Sequence, residues 1–292
     1  MSTIEPSFES FAAAWEAGEN LVVYTRLAAD LDTPVSLMLK LAGAREDSFM
    51  LESVTGGEVR GRYSIIGLKP DLIWQCHGTS SRLNRQARFD PDAFQDQSDD
   101  PLTALRALIA ESQIDLPDDL PQAAAGLFGY LGYDMIRLVE HLPDVNPDPL
   151  GLPDAVMLRP SVVAVLDGVK GEVILVAPAY TAGGLTAKAA YAQAAERVMD
   201  AKRALELPVP MAERTLGAPD EAPEPTSNFT KAGYMAAVEK AKDYIRAGDI
   251  FNACPASAGR RPFPSRPSRS TAACGARTPR PSCSISITAA TR

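Results

Sequence analysis

FMLESVTGGEVRGRYSIIGLKPD, residues 49–71, holds two apolar runs divided by Gly56-Gly57 and closed by Lys69-Pro70. Together with the run at 71–76, these segments predict adjacent antiparallel strands at 48–54, 63–68 and 71–76, because Gly-Gly and Lys-Pro are turn signals between β-prone residues. Further along, 161–166 and 172–177 flank Asp167-Gly168, a strong hairpin signal. Helical patterns lie around these strands. Asp32-Thr33-Pro34 supplies a cap and a proline start for a short amphipathic helix ending at Gly43, and 101–112 and 185–205 carry helical periodicity. Strands joined by turns, with helices elsewhere, define an α+β class, expected as an antiparallel, β-sandwich-like amino-terminal domain with surrounding helices and a second domain largely missing.

The chain divides by composition. Residues 1–207 read as one domain. Pro208, Pro210, Pro219, Pro223 and Pro225 punctuate 208–227 as an exposed linker. Residues 228–252 open a new unit: Tyr234, Val238, Ala241 and Ile245 form one helical stripe, Gly248 stops it, and Asp249-Ile250-Phe251 begins an apparent strand. Residues 253–292 then contain seven Arg and six Pro but no Lys, Asp, Glu, Leu or Val. Such a composition does not encode a core, so the tail is expected to be disordered.

With 292 residues and 46% hydrophobic content the chain can bury a large core. The net charge is −8, and removing the tail's seven Arg leaves 22 basic against 37 acidic residues. That balance argues against nucleic-acid and anionic-membrane partners, because like charges repel. No apolar run approaches the roughly 20 residues that span a bilayer, and residues 1–19 lack the blocks of a signal peptide. The expected location is the cytoplasm. Cys76, Cys254, Cys274 and Cys283 have neither zinc-like nor redox-motif spacing.

Few residues suggest chemistry. Gly126, Gly129 and Gly132 do not have the spacing of a phosphate loop, and fit better a place where backbones pack closely while Phe128, Tyr130 and Tyr133 fill space. His77 and His141 have no nearby cysteine or nucleophile partner. The most suggestive cluster is Leu51-Glu52-Ser53, ending one strand, with Arg62-Tyr63-Ser64 opening the next. A carboxylate, hydroxyls and a cation could grip the ammonium and carboxylate of an amino acid through charge-assisted hydrogen bonds. The plainer alternative is a cross-strand ion pair at a sheet edge.

The 49–71 stretch resembles the amino-terminal signature of anthranilate synthase component I, in which a Leu-Glu-Ser triplet precedes a glycine-rich turn and a Gly-Arg-Tyr-Ser strand. GLFGYLGYDMIRLVEHLP is similar to that family's second block, and YMAAVEKAKDYIRAGDIFN to the opening of its chorismate-utilising domain. The resemblance implies an enzyme that makes anthranilate and pyruvate from chorismate. Ammonia would come from a glutamine amidotransferase subunit, component II, and magnesium would sit in the second domain. It further implies a tryptophan feedback site at Ser53, Glu52 and Leu51, with Arg62, Tyr63 and Ser64 as neighbours. The family's catalytic and metal residues fall beyond this chain, so neither catalytic residues nor a metal are expected in it.

The tail reads differently in another frame. Offset by two bases, residues 277–290 permit Asn-Pro-Ser-Pro-Phe-Leu-Phe-Tyr-Phe-Asn-His-Gly-Gly, an apolar stretch similar to what the family places next and part of the other wall of its tryptophan pocket. The expectation is therefore a truncated, frameshifted chain, inactive alone. Three alternatives stand beside it: aminodeoxychorismate synthase component I, which the Leu-Glu-Ser triplet disfavours; a non-catalytic fragment that binds the amidotransferase subunit or tryptophan; and a basic-tail module that binds polyanions.

Overall fold

The computed structural model describes residues 3–43, 45, 47–52, 61–143, 147–148, 150–209, 224–260 and 284–287, the last four by their backbone alone. Its contacts divide into two units, Met1–Pro210 with Pro267–Arg292, and Met211–Arg266.

The larger unit is α+β. In order it contains α1 (Phe8–Glu16), β1 (Leu21–Ala28), α2 (Pro34–Leu41), β2 (Phe49–Glu52), β3 (Tyr63–His77), β4 (Ser80–Asn84), β5 (Gln95–Asp96) and α3 (Pro101–Glu111). β6 (Phe128–Leu131), β7 (Ala155–Asp167), β8 (Glu172–Ala179) and α4 (Ala187–Glu206) follow. Its strands join in one sheet ordered β1-β8-β7-β3-β2, with β4 and β6 pairing on β3 and β7. Every pairing is antiparallel. Two expected strands, 63–68 and 71–76, are one. The Lys69-Pro70 signal yields a register shift between Pro70 and Leu72 instead of a turn, because β7 pairs with β3 on both sides of it, from Tyr63 to Leu68 and from Leu72 to Cys76.

One face of the sheet carries the main core. Met50, Ile66, Leu68, Val162, Ala164 and Leu175 meet Phe11 and Trp15 of α1, Leu37, Met38 and Leu41 of α2, and Ala190, Ala194 and Val198 of α4. Each helix is started by its own sequence. Thr33 caps α2 in a reciprocal pair with Ser36 while Pro34 opens the first turn, and Asp100 accepts from Leu102 and Thr103 N–H groups at the start of α3. The small side chains of α4 allow it to lie close on the strands. On the other face Val22, Val163, Val165, Ile174 and Val176 pack under Leu120 and Ala124, and Leu72 and Trp74 pack against Leu105 and Leu108 of α3.

Ser284–Ile287, part of the tail expected to be disordered, form β11 antiparallel to β2, with Ser284 opposite Glu52 and Ile287 opposite Phe49. Alternating isoleucines suit the pleat of an open sheet edge, a feature that the tail's overall composition conceals. The remainder of 261–292 and most of the 208–227 linker lie outside the described residues.

In the smaller unit β9 (Thr226–Ser227) pairs with β10 (Gly259–Arg260), and α5 (Lys231–Ala247) runs from a Thr230 cap to Gly248 in the left-handed conformation. The helical stripe is where it was expected. The strand expected at Asp249-Ile250-Phe251 is not formed, and the Phe251 side chain is 97% exposed. Without a neighbouring strand those backbone groups have no ladder to join.

Candidate amino-acid site

Strand pairing determines how the candidate residues are placed. Leu51 opposes Ile65, and Met50 opposes Ile66. Alternation along a strand then puts Leu51 and Tyr63 on the face of Ile65, and Glu52 and Ser64 on the face of Met50. Leu51 and Ile65 accordingly pack into one cluster with Phe49 and Phe128. Ser64 is buried opposite Leu166. The cluster read from sequence is thus shared between two sides of the sheet, and Ser53 lies outside the described residues.

Arg62 forms no ion pair with Glu52. It holds Asp167 instead: Nε lies 3.0 Å from both carboxylate oxygens and Nη2 2.6 Å from Oδ2. The cause is register, since Asp167 is paired with Tyr63, the next residue along. The guanidinium also lies 4.9 Å from the centre of the Tyr63 ring, a cation–π contact. Asp167 further accepts from the N–H groups of Val169 and Lys170, which turn the hairpin. Burial raises its carboxyl, but the Arg62 hydrogen bonds and those backbone donors outweigh it and hold the group below the ordinary carboxylate range. Arg62 is therefore a fixed cation beside Tyr63, already neutralised by a buried carboxylate.

The glycine block is structural, as its spacing implies. A Cβ on Gly129 would stand 1.8 Å from the Val156 carbonyl oxygen, and one on Gly132 would stand 2.7 Å from that of Asp154. Only glycine lets β6 approach β7 so closely. Phe128 and Tyr130 are partly buried, but Tyr133 is 84% exposed and fills no space. His77 and His141 are exposed.

A second polar network was not legible. Arg159, 6% exposed, is gripped by Asp71 through Nε at 2.9 Å and Nη2 at 3.0 Å, and its Nη1 reaches Glu111 at 3.1 Å. The Tyr180 ring covers it at 4.0 Å. Its partners stand 88, 48 and 21 positions away, so no local pattern joins them. The network satisfies a buried charge and offers no free acid or base.

A cavity of about 300 Å³ beside the end of α3 is lined by Ile109, Ser112, Gln113, Ile114, Leu116 and Gly126 among others, and Leu51, Glu52, Arg62, Tyr63 and Ser64 are not part of that lining. Among the described residues there is no group of three or more His, Cys, Asp or Glu side chains that could hold a metal ion. No described helix is long and apolar enough to cross a membrane.

An antiparallel α+β unit carrying these motifs can be placed among known proteins. The family model for chorismate binding enzyme matches residues 53–286, and the chain belongs to that family. It is 72% identical over 249 residues to anthranilate synthase component 1 of Cereibacter sphaeroides, covering 85% of this chain and 50% of that protein. It is 36% identical over 235 residues to the protein of the same name from Pseudomonas putida, covering 78% and 45%. The chain spans about half the length of the curated relatives it matches. The anthranilate synthase component I structure from Streptococcus pneumoniae TIGR4 aligns at a TM-score of 0.48 and 23% identity, covering 67% of this chain and 40% of that one.

Proposed function

We propose that this chain is the amino-terminal, tryptophan-sensing part of an anthranilate synthase large subunit and does not catalyse the chorismate reaction alone. The observation that carries the reading is the combination of 72% identity with coverage of only 50% of the relative. The proposed domains are residues 1–207 as regulatory domain, 208–227 as linker and 228–252 as the start of the chorismate-binding domain, followed by an out-of-frame tail. Chorismate, magnesium and the docked amidotransferase subunit belong to the complete enzyme, at work in the cytoplasm.

Ser53, Glu52 and Leu51 are the proposed tryptophan-binding residues, with Arg62, Tyr63 and Ser64 beside them. Two observations support a positioning role for Arg62: its bidentate hold on Asp167 and its stacking on Tyr63. Both fix the start of β3, which pairs with the strand that carries Leu51 and Glu52.

Purified chain supplied with chorismate, magnesium and excess ammonia should form no anthranilate above background. Sustained turnover refutes the truncated reading. Restoring the alternative frame after Asn252 should give both activity and tryptophan inhibition, and Ser53→Ala in that repaired protein should raise the inhibitory concentration at least tenfold. Activity insensitive to tryptophan would point to the folate-pathway relative instead.

A further inference from the structure

The cavity at the end of α3 is held open by hydrogen bonds on both sides of it. Ser112 closes the helix, its N–H donating back to the carbonyls of Leu108 and Ile109. Asn20 then pins the chain that leaves: Nδ2 donates to the carbonyls of Glu111 at 3.1 Å and Gln113 at 3.0 Å, while Oδ1 accepts from the Thr181 N–H at 2.9 Å. The segment returns through a single 3-10 turn at Gln122–Ala124 and enters β6 past Gly126, whose φ of 122° is a conformation open to glycine. The walls also lean apart. Ile114 and Leu116 pack on the core beneath Leu120 and Ala124, whereas Leu127 packs on the core that α3 shares with Trp74. A space of about 300 Å³ is left between them, the lower end of the range for small-molecule sites.

Its chemistry is set by three polar residues among aliphatic ones. Ser112 is 4% exposed, and its Oγ accepts from Arg159 Nη1 at 3.3 Å. The hydroxyl proton has no acceptor among the described residues. A hydroxyl that already accepts from a guanidinium is a stronger donor, so an oxygen acceptor in the cavity would satisfy it. Gln113 and Gln122, both exposed, are the other polar residues of the lining, and a carboxamide both donates and accepts. No residue of the lining carries a charge. The carboxyl end of α3 disfavours an anion. A cation finds no carboxylate in the lining and meets the Arg159 guanidinium behind Ser112.

We propose that this cavity is a binding site for a small neutral amide with an apolar body. The amide carbonyl accepts from Ser112, its N–H groups meet the carboxamides of Gln113 and Gln122, and the apolar part lies among Ile109, Ile114, Leu116 and Leu127. The site is separate from the tryptophan residues and does not depend on the functional reading above.

The test is titration of the nitrogen-15-labelled full chain with benzamide, followed in two-dimensional amide spectra, with benzoate and benzylamine as probes of the same ring bearing either charge. Benzamide should give saturable shifts at Ser112, Gln113, Gly126 and the glutamine side-chain amides, and both charged probes should bind at least fivefold more weakly. Ser112→Ala should weaken benzamide at least fivefold. Ile109→Trp, at a position already half-exposed, should fill the space and remove the saturable shifts. Spectra unchanged away from α3 identify the folded variants, and Ile109→Trp decides the matter if Ser112→Ala is not among them. The proposal is overturned if benzamide gives no saturable shift at these residues, if benzoate or benzylamine binds as tightly, or if the folded variants bind benzamide like the parent.

Discussion

Helices α4 and α5 are made of similar material. Both are alanine-rich, both start at a threonine whose hydroxyl accepts a backbone N–H, and they run for 20 and 17 residues. α4 buries Ala190, Ala194, Val198 and Ala201, while α5 buries no side chain among the described residues. Cap and propensity can start a helix, but isolated helices of this length are marginal in water, and burial of an apolar face supplies most of their stability. The larger unit can satisfy this requirement by itself. The stripe on α5 is written for a neighbour that the described part of its own unit does not contain.

The largest effect separating the two units should come from Leu175→Ala on β8. Removing a fully buried side chain there should cost about 4 kcal/mol in urea denaturation followed by far-ultraviolet dichroism, from lost transfer energy and the cavity left behind. A loss below about 1 kcal/mol would show a core much looser than its packing implies. Arg159→Ala comes next, at about 3 kcal/mol, because Asp71 and Glu111 would lose the cation that compensates them. Arg159→Met should cost no less while those carboxylates remain, so a neutral outcome would contradict the network.

The Arg62–Asp167 pair offers a milder test through pH. Asp167 is held below its unfolded value, so its contribution is fully present above the ordinary carboxylate range and fades as pH falls through that range toward the folded value. Melting temperature measured from pH 7 down to pH 3 should therefore drop less steeply in Asp167→Asn than in the parent, which starts higher at neutral pH. Parallel curves would count against the pair. Smallest of all, Val238→Ala on α5 should change stability by less than about 0.5 kcal/mol. Hydrogen exchange should show residues 231–247 losing protection long before 187–206; equal protection would reveal a packing partner for α5.

Local features of the fold were largely readable. Asp32-Thr33-Pro34 marked the start of α2, Gly248 the end of α5 and Asp167-Gly168 the β7–β8 hairpin, since each signal lies within a few residues of what it specifies. Features fixed at long range were not. β1 is an ordinary apolar run until β8 pairs with it, and Lys69-Pro70 resembles a turn until β7 pairs with the chain on both sides of it. The candidate site shows the same division: the residues at Leu51 to Ser53 and Arg62 to Ser64 could be named from their types, but the true partner of Arg62 lies 105 positions away. The Arg159 network escaped notice for that reason.

The pairing of Leu21 with Ala179 also bears on how the polypeptide is made. When the first strand leaves the ribosome, its hydrogen-bonding partner has yet to be synthesised, and at the usual rate of about 5–20 residues per second the wait lasts on the order of ten seconds or more. During that interval Val22, Val23 and Tyr24 form a sticky, unpaired segment of nascent chain. Premature termination anywhere before the Glu172–Ala179 stretch would leave it so permanently, making such products natural clients for chaperones or proteases.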